Sequence, residues 1–115
     1  MKVEKPWGHE IRWAITEDYL GKIIHIESGH RLSRQYHQQK DESIYVLEGT
    51  LVLELHQGKH LKKVTMEPGT SRRIYPQVVH RFCAPSGACT LIEVSTAHID
   101  DVIRVEDDYN RKEGQ

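Results

Sequence analysis

Residues 29–49 read Gly29-His30-Arg31-Leu32-Ser33-Arg34-Gln35-Tyr36-His37-Gln38-Gln39-Lys40-Asp41-Glu42-Ser43-Ile44-Tyr45-Val46-Leu47-Glu48-Gly49. Three metal-ligating residue types sit here at close spacing: Gln35, His37 and Glu42. Gln35 and His37 are two apart. On a strand such residues face the same way, about 7 Å apart along the chain. Glu42 follows the short polar connection 38–41 and heads a second strand, Ser43 to Glu48. Pairing of the two strands would bring all three side chains to one point. A fourth ligand must come from a distant strand, and His80 is the candidate.

The surrounding chain reads as strands. Ile11 to Ile15 and Lys22 to Glu27 precede the ligand strand, Leu32 to His37; the branched run Ile23-Ile24-His25-Ile26 is a strand signature. Ile44 to Leu55, broken at Glu48-Gly49-Thr50, reads as a hairpin, with Leu51, Leu53 and Leu55 on one face of its second arm. His60 to Met66, Thr70 to Tyr75, Val79 to Cys83 and Cys89 to Ser95 follow. Turn signals fall between them at Gln57-Gly58-Lys59, Glu67-Pro68-Gly69, Pro76-Gln77 and a hairpin loop over 84–88. Eight or nine short strands with turns about every ten residues predict an all-β, antiparallel sandwich or small barrel. No stretch has the period of an amphipathic helix.

The 115 residues fit a single domain spanning 1–115. Pro6 and Gly8 exclude a helix in the segment 1–9, whose Trp7, with Trp13, covers a sheet edge or crosses to a second subunit. The tail, 98–115, reads as irregular, acidic and then polar. The net charge of −1 offers no basic field for nucleic acid. No apolar run approaches the ~18 residues of a membrane span, and the N-terminus lacks a signal-peptide core. The expectation is a soluble cytoplasmic protein with no nucleic-acid or membrane partner. Cys83 and Cys89 flank the 84–88 loop and read as reduced, partly buried thiols rather than a disulfide.

Gln35, His37, Glu42 and His80 offer two oxygens and two imidazole nitrogens with a formal charge of −1. This set suits a divalent first-row ion. Zinc is favoured, and manganese, iron, nickel and cobalt are compatible. Four protein ligands leave coordination positions for water or substrate when the ion is five- or six-coordinate. The alternative is that Gln35 and Glu42 are solvated strand residues and His80 a core histidine.

The pattern Gly29, Gln35, His37, Glu42, Gly49 resembles the first motif of the cupins. Gly69, Tyr75, Gln77, His80 and Ala84 keep the spacing of the second, with Pro76 one place late. The resemblance implies the jelly-roll barrel, or double-stranded β-helix. Lys5-Pro6-Trp7-Gly8, the 31–37 strand, His80-Arg81-Phe82, Leu91-Ile92-Glu93-Val94 and the 100–111 stretch are similar to the cupin domain of type II mannose-6-phosphate isomerases. That domain is usually fused to a GDP-mannose pyrophosphorylase. The resemblance implies a metal-dependent aldose–ketose isomerase of a sugar phosphate, with a homodimer as the commonest assembly. Lys40 stands where that family has an arginine; it keeps the charge and loses the planar fork.

For such a reaction Glu93 is the candidate general base, since Cys89, Leu91 and Glu93 share one strand face and burial raises a carboxyl pKa. Its other reading is the partner of a buried arginine. Lys40 is the second catalytic candidate. Arg31, Ser33, Arg73, Arg81 and Tyr45 are the candidate substrate contacts, the arginines for the phosphate; of Arg72 and Arg73 only one faces inward. A pocket of Tyr36, Tyr45, Tyr75 and Phe82 would suit a non-catalytic sugar-binding module, and a metal-dependent dioxygenase is the third reading.

Overall fold

The structure, a computed structural model, describes residues 1–111. The strands among the described residues are β1 (Lys2–Lys5), β2 (Gly8–Ile15), β3 (Tyr19–Ile26), β4 (Arg34–Tyr36), β5 (Glu42–Glu48), β6 (Leu51–Gln57), β7 (His60–Met66), β8 (Ser71–Ile74), β9 (His80–Cys83), β10 (Cys89–Thr96) and β11 (Ile103–Glu106). They form two antiparallel sheets: six strands in the order β1-β2-β3-β10-β5-β8, and five in the order β11-β4-β9-β6-β7. The fold is the expected all-β jelly roll.

The topology corrects three local expectations. The stretch 44–55 is not a hairpin: β5 pairs with β10 and β8, whereas β6 pairs with β7 and β9. The 84–88 loop likewise joins strands of different sheets, β9 and β10. Both are corners where the chain changes layer. Gly49 turns the first corner at φ 77°, and a Cβ there would stand 2.2 Å from the Ala88 carbonyl oxygen. Glycine alone lets the two corners pack together. Nor do β4 and β5 pair; they face each other across the interior.

Alternation along the strands fills the space between the sheets. Ile24, Ile26, Ile44, Val46 and Leu91 point inward from the larger sheet; Leu51, Leu53, Leu55 and Phe82 do so from the smaller. Trp7, between β1 and β2, joins this core at 3% exposure, so it serves its own barrel rather than a partner. Cys83 and Cys89 are free and buried. Exposed β7 is the edge of its sheet and carries Lys62 and Lys63, charges that discourage edge-to-edge pairing.

The tail departs most from expectation. Ile103, Arg104 and Glu106 pair with β4 to extend the smaller sheet. Residues 112–115, also expected to be irregular, lie outside the described residues. Tail carboxylates meet two arginines, Arg81 buried and Arg31 partly exposed. The Arg81 guanidinium, fully buried, donates to the Leu32 carbonyl at 2.8 Å, to Glu106 at 3.0 Å and to Asp108 at 2.8 Å. Arg31 makes a two-pronged pair with Asp108 at 2.6 and 3.0 Å.

Acid should release this tail. The hydrogen bond from Arg81 holds Glu106 below its usual pKa, and that from Arg31 does the same for Asp108. A carboxyl with a depressed folded pKa stabilises above its unfolded value and loses that contribution as pH falls through the folded one. Amide hydrogen exchange over 103–108 should therefore accelerate below about pH 4, before the core strands β5, β6 and β10 open. Uniform exchange of tail and core would overturn this account.

Candidate metal centre and its cavity

The ligands gather from both sheets. Inward positions of the larger sheet carry Glu42 on β5 and Glu93 on β10. On the smaller sheet Gln35 is in register with His80, and Arg104 with Gln35. His37 follows β4 directly. His37, Glu42 and His80 are buried, and one ligand atom from each lies within 4.8 Å of the others. The Glu42 Oε1 atom stands 3.1 Å from His80 Nε2 and 3.4 Å from His37 Nε2. Gln35 lines the same cavity.

Hydrogen bonds on the far side of each ring define the chemistry. His80 Nδ1 faces the Val78 carbonyl at 2.9 Å, and His37 Nδ1 faces the Asp101 carbonyl. A carbonyl only accepts, so each Nδ1 carries the proton and, in a neutral ring, each Nε2 presents a lone pair. Two lone pairs then converge on a carboxylate oxygen. Glu42 Oε1 and His80 Nε2 are buried with no hydrogen-bond partner. Converging buried acceptors repel unless a cation lies between them, and backbone-anchored imidazoles are the usual outer support of metal-ligating histidines. The residues present fit a divalent metal ion.

The turn before His80 and the loop after His37 are tied to each other. Gln77 adopts a left-handed φ of 71°, and its N–H donates to the His37 carbonyl at 2.6 Å. Asp101 accepts from the backbone N–H groups of Gln38, Gln39 and Lys40 at 3.0, 2.7 and 2.9 Å. Burial opposes the Asp101 charge, but these three donors hold its pKa below the ordinary value. Asp101 thus fixes the segment that carries Lys40. Nothing local in the sequence marks it, because its partners lie over sixty residues away.

Lys40 is buried. Its Nζ lies 2.9 Å from Glu93 and 3.4 Å from Glu42. Burial works against the ammonium, yet Glu93 and Glu42 raise its pKa above the ordinary value. Burial also opposes the Glu42 charge; the Lys40 ammonium nonetheless holds that carboxyl well below the usual range. Glu93 goes the other way: burial and the Glu42 charge push it up to about 6, against Lys40 and Lys22. Glu93 is therefore paired with a lysine, where the sequence offered a base or the partner of an arginine.

A cavity of about 120 Å³ opens on these groups. Of the expected substrate contacts only Ser33 lines it. Arg31 and Arg81 are held by tail carboxylates. Arg73 is exposed, paired with Asp41 and laid over the Tyr75 ring at 4.3 Å. Tyr45 points outward from β5. Of the four aromatics expected to form a stacking pocket, Phe82 alone lines the cavity. The cations that do line it are Lys5, Arg12, Lys22, Lys40, Arg104 and Arg111, against the acids Glu10, Glu42, Glu93, Asp100 and Asp101. Arg12 and Lys22 were legible only as alternate residues of β2 and β3; Arg104 and Arg111 came from the tail read as irregular.

Residues 22–95 match the family described as Cupin domain. Among solved structures, KdgF from Halomonas sp. superposes with a TM-score of 0.75 at 19% identity, covering 88% of this chain and 91% of that one. CapF, a capsular polysaccharide assembling protein from Staphylococcus aureus, gives 0.83 at 14% identity, over 92% of this chain and 34% of that one. FeII HppE gives 0.69 at 17% identity, over 83% and 55%. This chain therefore spans about a third of CapF and about half of HppE. Identities at this level establish a shared fold. No curated protein matches the sequence significantly.

Proposed function

The chain belongs to the cupin domain family, and from that premise we propose a metal-dependent isomerase that moves a proton between adjacent carbons of a sugar phosphate. The observation that carries the reading is Glu93: a buried carboxyl with a pKa of about 6, beside the metal-ligand cluster in the cavity wall. Such a group is mostly ionised at neutral pH, yet returns a proton readily. His37, Glu42, His80 and Gln35 would hold the ion, which would supply Lewis-acid polarisation of a substrate oxygen.

The protein's own residues do the rest. Glu93 takes the proton from one carbon and delivers it to the next. Lys40 positions Glu93 and balances the charge of the two carboxylates. Its Nζ is committed to both, so it replaces the family arginine as a buried counter-ion rather than as a fork that grips substrate. The Asp101-anchored loop holds Lys40 in place. With a divalent ion bound, the lining carries a surplus of positive charge, which favours an anionic substrate.

The test is solvent exchange. Mannose 6-phosphate incubated in D2O with protein loaded with zinc, manganese or cobalt should incorporate deuterium at C2 and form the ketose. No exchange with any sugar phosphate, under conditions where metal binds, would sink the reading. Oxygen uptake with iron and an organic substrate would instead favour a dioxygenase.

The outer face of the larger sheet supports a homodimer. Register aligns Ile11, Ile23, Ile92 and Tyr45 in one outward row across β2, β3, β10 and β5. Beside them, Val94 is 48% exposed, and Trp13, whose indole lies on Gly21, is 55% exposed. A continuous apolar sheet face calls for a cover. Sedimentation should show a dimer for the wild type and a monomer for Trp13→Glu/Val94→Lys, with zinc binding retained. A monomeric wild type would exclude this assembly.

A further inference from the structure

We propose that Lys5, Arg12, Lys22 and Arg111 form an anion subsite, which takes the phosphate of the substrate while the metal end takes its carbonyl. The sheet order sets out the cavity wall like a ruler. Glu42 stands on β5, Glu93 on β10, Lys22 on β3, Arg12 on β2 and Lys5 on β1, five neighbouring strands in that sequence. Glu93 is in register with Lys22, and Lys22 with Arg12. Adjacent strands lie about 4.8 Å apart. An anion between Lys22 and Arg12 is therefore roughly 7 Å from the Glu93 row. An extended zigzag advances about 1.2 Å per bond, so about six bonds span that gap, the number that separates C2 of a hexose from the phosphorus of its 6-phosphate.

The charge count points the same way. Glu10 sits within the group, 2.8 Å from Arg12 and 3.5 Å from Lys22, and Lys22 also acts on Glu93. Arg111 is balanced by Asp107 at 3.0 Å. With Glu93 met by Lys40 at 2.9 Å, four cations against Glu10 and Asp107 leave two positive charges in the cavity wall. A phosphate monoester carries about −1.5 to −2 at pH 7, which neutralises them. The crowding is also felt at Lys5. Burial first, and then Arg12, Lys22 and Arg111, lower its pKa against the pull of Glu10.

The identity of the substrate rests on the isomerase reading; the existence of the anion site does not. Inorganic phosphate titrated calorimetrically into zinc-loaded protein is the direct probe. The Lys5→Gln/Arg12→Gln variant should bind it roughly tenfold more weakly or worse, with zinc affinity unchanged. Lys5→Gln alone, which leaves the Glu10 ion pairs intact, should show a smaller loss. Arg73→Gln, at the exposed Asp41 pair, should bind like wild type. With mannose 6-phosphate, the double variant should raise KM at least as much as it weakens phosphate binding and leave kcat within a few-fold.

Wild-type phosphate affinity in both Lys5 variants would overturn the subsite. So would phosphate binding that disappears in His80→Ala while the Lys5 variants keep it, since the anion would then sit on the metal. Turnover with an unchanged KM in the double variant sinks the subsite and spares the isomerase. Phosphate binding that depends on Lys5 and Arg12, without turnover of any sugar phosphate, supports the subsite and sinks the isomerase.

Discussion

Glu93→Gln should lower exchange of the substrate C2 proton by roughly 10²–10⁴-fold, the range for loss of a positioned general base, while zinc still binds. Glutamine is nearly isosteric, so the strand position and the contact with Lys40 survive. What is lost is the ability to accept a proton. The charge balance shifts as well: the Lys40 ammonium then has Glu42 alone as an anionic partner, 3.4 Å away. Glu42 should be drawn closer to Lys40, and zinc affinity should fall only modestly. Deuterium incorporation by NMR reads the first effect, and competition with a chromogenic chelator reads the second. Exchange at the wild-type rate would remove Glu93 from the chemistry. Loss of zinc together with exchange would make Glu93 a support of the metal centre and not a base.

His80→Ala should abolish the metal centre. Loss of an outer supporting group commonly costs 10–100-fold in metal affinity; loss of a ligand should cost at least about 100-fold. The imidazole is also packed between the His37 ring, 5.3 Å away, and the Phe82 ring, 5.4 Å away. Removing it therefore opens space in the wall as well. Stabilisation by zinc separates the two effects. A ligand present at 100 times its Kd adds about 2.7 kcal/mol to the folded state. Wild-type protein should gain such a rise in Tm with zinc, and His80→Ala should gain almost none at the same concentration. An equal rise in both would mean that the zinc binds elsewhere, and the cluster of His37, Glu42 and His80 would have to be explained without a metal.

The strand pattern was legible because burial of one face imposes a two-residue period, and that period survives in any sheet order. Leu51, Leu53 and Leu55 are a direct example; so are Cys89, Leu91 and Glu93. The partners of those strands were not legible. A glycine corner such as Glu48-Gly49-Thr50 looks the same whether the chain folds back on its neighbour or crosses to the other sheet. The candidate metal ligands were readable, since each falls on a patterned strand or beside one. Their convergence was expected from pairing of β4 with β5, yet it arises from facing positions across the barrel.

The cations were misjudged for a different reason. Arg31 and Arg81 sit next to ligand positions in sequence, and proximity suggested contact with substrate. Their charges are instead met by Glu106 and Asp108, more than twenty residues downstream. The residues that line the cavity in their place come from both ends of the chain: Lys5 and Arg12 near the start, Arg104 and Arg111 near the end.

By itself, then, the sequence determined the all-β class, the inward positions and the candidate metal-ligating residues, because side-chain alternation and ligand type are local properties. The tertiary structure alone decided which charges are spent in ion pairs and which face the cavity. Electrostatic pairing acts through space, across whatever residues the sheet order brings together. One ammonium of Lys40 bridging Glu42 and Glu93, and one carboxylate of Asp101 holding three consecutive backbone N–H groups, exist only once strands far apart in the chain have met.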